Sequence, residues 1–381
     1  MSELKLEQIL SAYDYDLPDK YIANAAVFPR DHAKLMRVNR QTGNLSDHFF
    51  YDLADFLGAN DVLVLNETKV FSARLLGKKA SGGKVELLLI KQIDLDSFEA
   101  ISKPGLKLGQ RLFFPRRSFT ESDASLSEDL EMSDFLQAEV IYRDPDSAKV
   151  QVRFNQGGAD LLSEIDQCGF TPLPPYIHPT QTEDKLKEEY QTVYAKHLGS
   201  AAAPTAGLHF TDQLLDKLRE KGVQIEKITL HVGLGTFAKL SMANLEEKRL
   251  HEEFYEIKED VAKRLNQAKQ QGKRIIAVGT TSARTLESAV MSRNVHELSN
   301  LKGQTSIFIT PPFQFAFVDA LLTNFHLPQS SLLMMISAFC TSPNTSATFN
   351  DFKQTVVGQA YQRAIDHEYR FFSFGDVMLI E

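Results

Sequence analysis

Short apolar runs of β character alternate with amphipathic stretches through the C-terminal half of the chain. KITLHV at 227–232, RIIAVG at 274–279, TSIFIT at 305–310 and ALLTNF at 320–325 predict buried strands. LLDKLREKG at 214–222, VAKRLNQAKQQG at 261–272 and SARTLESAV at 282–290 predict helices between them, and the alternation implies an α/β layer or barrel. Upstream, DVLVLNETKV at 61–70 predicts a buried strand leading into a polar turn, and residues 4–12 a short helix. From GGKVELLLI to KVQVRF, between Gly82 and Phe154, the texture changes to short β-rich runs broken by Gly, Pro and Asp. This predicts an inserted domain over 69–154, a small antiparallel barrel or sandwich, within an α/β layer or barrel formed by 1–68 and 155–381. Within the insert, SFTESDASLSEDLEMSD at 118–134 reads as a long solvated loop.

Composition adds limits to this picture. With 381 residues, 43% hydrophobic and 24% charged, the chain can bury a sizeable core. A net charge of -8 and a pI near 5.8 exclude a chain that is basic throughout. Cys168 and Cys340, the two cysteines, are too few for a disulfide framework or a four-thiolate zinc site, and both have apolar neighbours. The N-terminus lacks a basic region and apolar core, and LLMMISAFC, the longest apolar run, is too short to span a bilayer. A cytoplasmic protein with no membrane role is expected.

Four loops concentrate the candidate chemistry. AAPTAGLHFT carries Thr205 and His209 to a helix start at which Thr211 is the expected N-cap and Phe210 with Leu215 the expected hydrophobic staple. LHVGLGTF places His231 at a strand end, VGTTSARTLES places Thr280, Thr281 and Ser282 between strand and helix, and TNFHLPQSS places Asn324 and His326 before another helix. In α/β folds, binding and catalytic groups gather at such strand ends. The three hydroxyls of GTTS serve equally as simple helix caps. GLGT is not a dinucleotide fingerprint, no P-loop occurs, and HEEF at 251 lacks the second histidine of a metalloprotease helix, so no metal is expected.

Longer blocks carry a family resemblance. LVLNETKVFSARLLGKKASGGKVELLL, PLPPYI, YQTVYA, AAPTAGLHFT, TLHVGLGTF, IAVGTTSARTLES, VDALLTNFHLPQSSLLMMISAF and YRFFSFGDVMLI resemble, in order and over nearly the whole chain, the S-adenosylmethionine:tRNA ribosyltransferase-isomerases of queuosine biosynthesis. The resemblance implies an α/β-barrel-like domain with an inserted β-barrel. It also implies transfer of the ribosyl part of S-adenosylmethionine onto 7-aminomethyl-7-deazaguanine at a tRNA wobble position. Epoxyqueuosine forms, and adenine and methionine leave. No cofactor is implied, because S-adenosylmethionine is consumed, and a monomer is expected.

A sulfonium acidifies the adjacent ribose 5′ C–H bonds, so such chemistry needs a general base and help for departing adenine. His209, His231, His326 and Glu253 are the unranked candidates. Asn66, Thr68, Thr205, Thr280, Thr281, Ser282, Arg284 and Asn324 are candidates for binding S-adenosylmethionine or the nucleobase, with Arg284 suited to its carboxylate or to a phosphate. Segment 69–117 holds eleven basic against four acidic residues; Lys69, Arg74, Lys78, Lys79 and Lys84 are the tRNA-binding candidates, with Phe71, Tyr176 or Phe237 for base stacking. Phe170 and Thr171 stand where the family commonly has His-Met, Thr310 and Pro312 replace its usual Tyr and Gly, and Ala26 replaces a proline. The rival readings are another barrel enzyme acting on a nucleotide or phosphosugar, and a noncatalytic RNA-binding protein.

Overall fold

The structure, a computed structural model, describes residues 2–117, 135–145, 147–179, 181–233, 240–290 and 296–381. The acidic loop expected over 118–134 lies outside them. Six antiparallel strands pair in the order Arg74–Lys79, Lys84–Asp94, Ser97–Lys103, Lys149–Phe154, Phe135–Arg143 and Arg111–Pro115. The last then meets the first through Lys78↔Phe113 and Lys79↔Leu112, which closes a barrel. Alternating Val85, Leu87 and Leu89, with Phe98, Ala100, Val150 and Val152, fill its interior. Gly77 permits closure, since a Cβ there would overlap the carbonyl oxygen of Phe113. The barrel core continues past Phe154: helix Gly158–Cys168 packs Leu161, Ile165 and Cys168 into it, and Gly169–Phe170 pairs with Arg74 and Leu75.

The α/β region is built on a nine-stranded mixed sheet. Its order is Lys302–Ile307, Arg249–Glu256, Gln224–Leu230, Asp61–Asn66, Arg274–Val278, Ala320–Asn324, Val377–Ile380, Lys34–Val38 and Leu45–Phe49. Four neighbours, from Gln224–Leu230 to Ala320–Asn324, run parallel. Helices cover both faces, so all six residues of Asp61–Asn66 are buried. Val62 and Val64 face one layer of the core, and Leu63 and Leu65 the other.

Several local expectations need correction. The stretch before Thr211 is a 3-10 helix, Thr205–His209, where a loop was expected, and the TSIFIT strand starts earlier, at Lys302, and ends at Ile307. Thr211 does accept the N–H of Leu214, capping Asp212–Glu220, and Phe210 and Leu215 share one core cluster. Helix Gly279–Ala289 has Val278 at its N-cap and no side-chain cap, so the GTTS hydroxyls do not cap it. Among the described residues, no helix is long and apolar enough to cross a membrane.

Candidate active site

A cavity of about 460 Å³ opens where the parallel strands end. Asn66 organises its floor. Its side-chain amide donates to the carbonyl of Leu230 (3.0 Å) and to Thr281 Oγ1 (3.3 Å), and its oxygen accepts the N–H groups of Leu230 (3.0 Å) and Thr68 (3.2 Å). The residue thus ties two strand ends to the start of helix Gly279–Ala289, with its own polar groups satisfied.

Of the candidates named from sequence, Thr205, Thr280, Thr281, Asn324 and His326 line the cavity. Thr205 donates to Asn324 Oδ1 at 2.8 Å, and Asn324 donates to the carbonyl of Asp376 at 3.4 Å. His326 is held at its backbone, where its N–H donates to the Tyr361 hydroxyl (2.7 Å) and its carbonyl accepts from Tyr15 (2.5 Å). Its Nε2 shares a hydrogen bond with Thr323 Oγ1 at 2.8 Å, and Nδ1 has no partner among the described residues. Burial pushes this imidazole down to about 3, so it is neutral throughout the physiological range.

The other two histidine candidates, His209 and His231, are not part of that cavity's lining. His209 is buried beneath the sheet, packed on Phe50, with Nε2 2.8 Å from the carbonyl of Gly375 and Nδ1 3.3 Å from that of Ala206. Both ring nitrogens face backbone acceptors, and burial lowers its pKa. His231 stacks on Phe254 and shares a 2.8 Å hydrogen bond with Thr68 through Nδ1. Gly199 lies so close that a Cβ there would meet the ring at 2.8 Å; burial, then the charge of His197, lowers the His231 pKa. Its neighbour Val232 lines the cavity; His231 itself does not.

Glu253 is a buried strand residue and not the surface acid its sequence context allows. It pairs with Arg284 at 2.5 Å and accepts the N–H of Gly233 at 3.1 Å. Arg284 Nε and Nη2 and Ser282 Oγ are buried without a hydrogen-bond partner among the described residues. Of the basic candidates, Lys69, Lys78 and Lys84 are exposed, Lys79 is half-buried, and Arg74 is exposed but paired with Glu86 at 2.8 Å. Phe71 belongs to the barrel core and is unavailable for stacking, Phe237 lies outside the described residues, and Tyr176 lines the cavity. Phe372, Ser373, Thr323 and Gln329 also line the cavity; all four fall within the motif blocks YRFFSFGDVMLI and TNFHLPQSS, but none was singled out as a site residue. Among the described residues, no group of three or more His, Cys, Asp or Glu side chains is placed to hold a metal ion.

An α/β sheet whose strand-end loops enclose a deep, mostly apolar cavity, beside a small β-barrel, is the layout of an enzyme acting on a bulky small molecule. The family model described as queuosine biosynthesis protein matches residues 10–380, and the chain belongs to that family. It is 44% identical over 375 residues to the S-adenosylmethionine:tRNA ribosyltransferase-isomerase of Desulfitobacterium hafniense, covering 97% of this chain and 99% of the relative. The proteins of the same name from Fusobacterium nucleatum and Clostridioides difficile are 43% and 41% identical; they cover 99% and 97% of this chain, and 98% of each relative is matched. A crystal structure of S-adenosylmethionine tRNA ribosyltransferase from Thermotoga maritima aligns with a TM-score of 0.52 at 33% identity, over 97% of this chain and 100% of the other.

Proposed function

We propose that this chain is an S-adenosylmethionine:tRNA ribosyltransferase-isomerase, and that its tRNA substrate carries 7-aminomethyl-7-deazaguanine. The supporting observation is the strand-end cavity with a neutral histidine on its wall, in a chain 41–44% identical over nearly its full length to enzymes of that name. His326 and Tyr176 are the titratable side chains among the described residues lining the cavity, and burial pushes the Tyr176 hydroxyl up to about 12. Unprotonated at neutral pH, His326 is the available proton acceptor for the acidified 5′ C–H, with Nδ1 the free ring position; the burial that keeps it neutral also makes it a weak base, so the sulfonium must supply the acidity. The N-terminus of helix Gly279–Ala289, with Thr280 and Thr281, suits the methionine carboxylate, and Thr205 with Asn324 suits ribose hydroxyls. The exposed lysines of the barrel suit tRNA phosphates. His209, His231 and Glu253 hold neighbouring structure in place.

A noncatalytic RNA binder gains nothing from a neutral histidine in a mostly apolar cavity, and that rival is not favoured; nor is another nucleotide or phosphosugar enzyme, given the family. The test is adenine release from S-adenosylmethionine with tRNA bearing the aminomethyl-deazaguanine, against tRNA bearing ordinary guanine. Release with the modified tRNA alone is expected. Release with neither, from folded protein, would overturn the assignment.

A further inference from the structure

Phe372 has a backbone φ of +70°. That region suits glycine, and a bulky side chain stays there only where the surroundings over-determine it. Here they do. The Phe372 N–H donates to the carbonyl of Phe325 (3.1 Å), and its carbonyl accepts the N–H of Gly375 (2.9 Å). The Asp376 carboxylate takes the N–H groups of Arg370 (2.7 Å) and Lys34 (2.9 Å), and Gly375 is so hemmed in that a Cβ would overlap the carbonyl carbon of Phe371. The preceding ring, Phe371, already fills the core against Phe325 and Tyr361, while Phe372 lines the cavity. A second residue of positive φ, Gln329 at +58°, lines the same cavity. Strain of this kind collects where a ligand must be met.

The Phe372 ring lies 4.8 Å from that of Tyr176 at 55°, and the Tyr176 hydroxyl shares a 2.8 Å hydrogen bond with Ser373. One turn therefore fixes Tyr176 twice, by ring contact from Phe372 and by hydrogen bond from its neighbour. We infer that Tyr176 and Phe372 together form the aromatic wall on which a purine-type base of the substrate stacks. The inference rests on the function proposed above, in which both substrates offer such a ring: the adenine of S-adenosylmethionine and the deazapurine of the tRNA.

The test is Phe372→Leu, which keeps apolar bulk but removes the aromatic face. Binding of S-adenosylmethionine without tRNA is measured by calorimetry, and KM and kcat for modified tRNA by adenine release. A loss of roughly tenfold in one affinity, with kcat at saturation held within a few fold, is expected from the worth of a base–aromatic stack. Loss on the calorimetric arm assigns the wall to adenine, and loss confined to the tRNA KM assigns it to the deazapurine. Phe372→Tyr is expected to restore wild-type values. Should Phe372→Leu not fold, Tyr176→Leu supplies the same two arms. Both constants within about twofold of wild type, in a cooperatively folding variant, would overturn the inference. Binding needs no turnover, so wild-type protein that binds S-adenosylmethionine but never releases adenine would sink the reaction and leave the wall testable.

Discussion

At the scale of single residues, His326 is the most exacting test of the site. The unfolded chain protonates this histidine near 6.5, whereas the folded protein holds it neutral down to about 3. Its contribution to stability is thus complete above pH 6.5 and lost as pH falls toward 3. His326→Gln is expected to lower adenine release by roughly 100-fold. The stability gap between wild type and variant, from urea midpoints, should shrink between pH 7 and pH 4; parallel curves would show that the ring is not held neutral. The Glu253–Arg284 pair makes a different prediction. Glu253→Ala strands a buried guanidinium, at a cost of about 3–5 kcal/mol in urea unfolding. Changing Glu253 to Leu and Arg284 to Met together is expected to cost less than the single change. The place of His326 on the cavity wall was legible in the sequence because the strand Ala320–Asn324 ends in Thr323 and Asn324 shortly before the Ser330 helix cap, the usual setting of a strand-end site. His209 looked equivalent but is not, because Thr205–His209 coils into a 3-10 turn that swings the ring under the sheet, between two carbonyl oxygens.

Elements obeyed their periodicity more faithfully than residues obeyed their roles. Asp61–Asn66, Arg274–Val278 and Ala320–Asn324 form where continuous apolar runs put them, because parallel strands buried on both faces need no polar alternation. Periodicity was silent on what each helix covers. Gly158–Cys168 has an ordinary amphipathic pattern, yet it caps the barrel and not the large sheet, a choice made by the pairing of Gly169–Phe170 with Arg74 and Leu75. Barrel closure carries the prediction at this scale. In Gly77→Ala the new methyl runs into the backbone oxygen of Phe113 and the ring of Phe114, and backbone cannot rotate aside as a side chain can. A loss of about 1–3 kcal/mol is expected from urea denaturation. An unchanged midpoint would mean that the strands separate there at no cost.

For the whole molecule, the arrangement of charge is what the fold itself does not account for. A protein of net charge -8 keeps a basic stretch on its β-barrel, and Lys78 stands directly across the strand pair from Lys84, both exposed and neither in an ion pair among the described residues. Like charges opposite one another weaken a sheet, so folding alone gives no reason to keep them. A polyanion does. If phosphates lie along this face, Lys78→Glu should raise the KM for tRNA while leaving S-adenosylmethionine binding by calorimetry at its wild-type value. The slope of log affinity against log salt should become shallower, by roughly 0.7–0.9 for each phosphate no longer neutralised. The strand pair should also gain slightly in stability, since the new carboxylate faces Lys84 where a second ammonium stood. Simple failure to fold would weaken both substrates together and leave the slope unchanged. Weaker tRNA binding from a barrel at least as stable as before would mean that the charges are held against the fold for the sake of the partner.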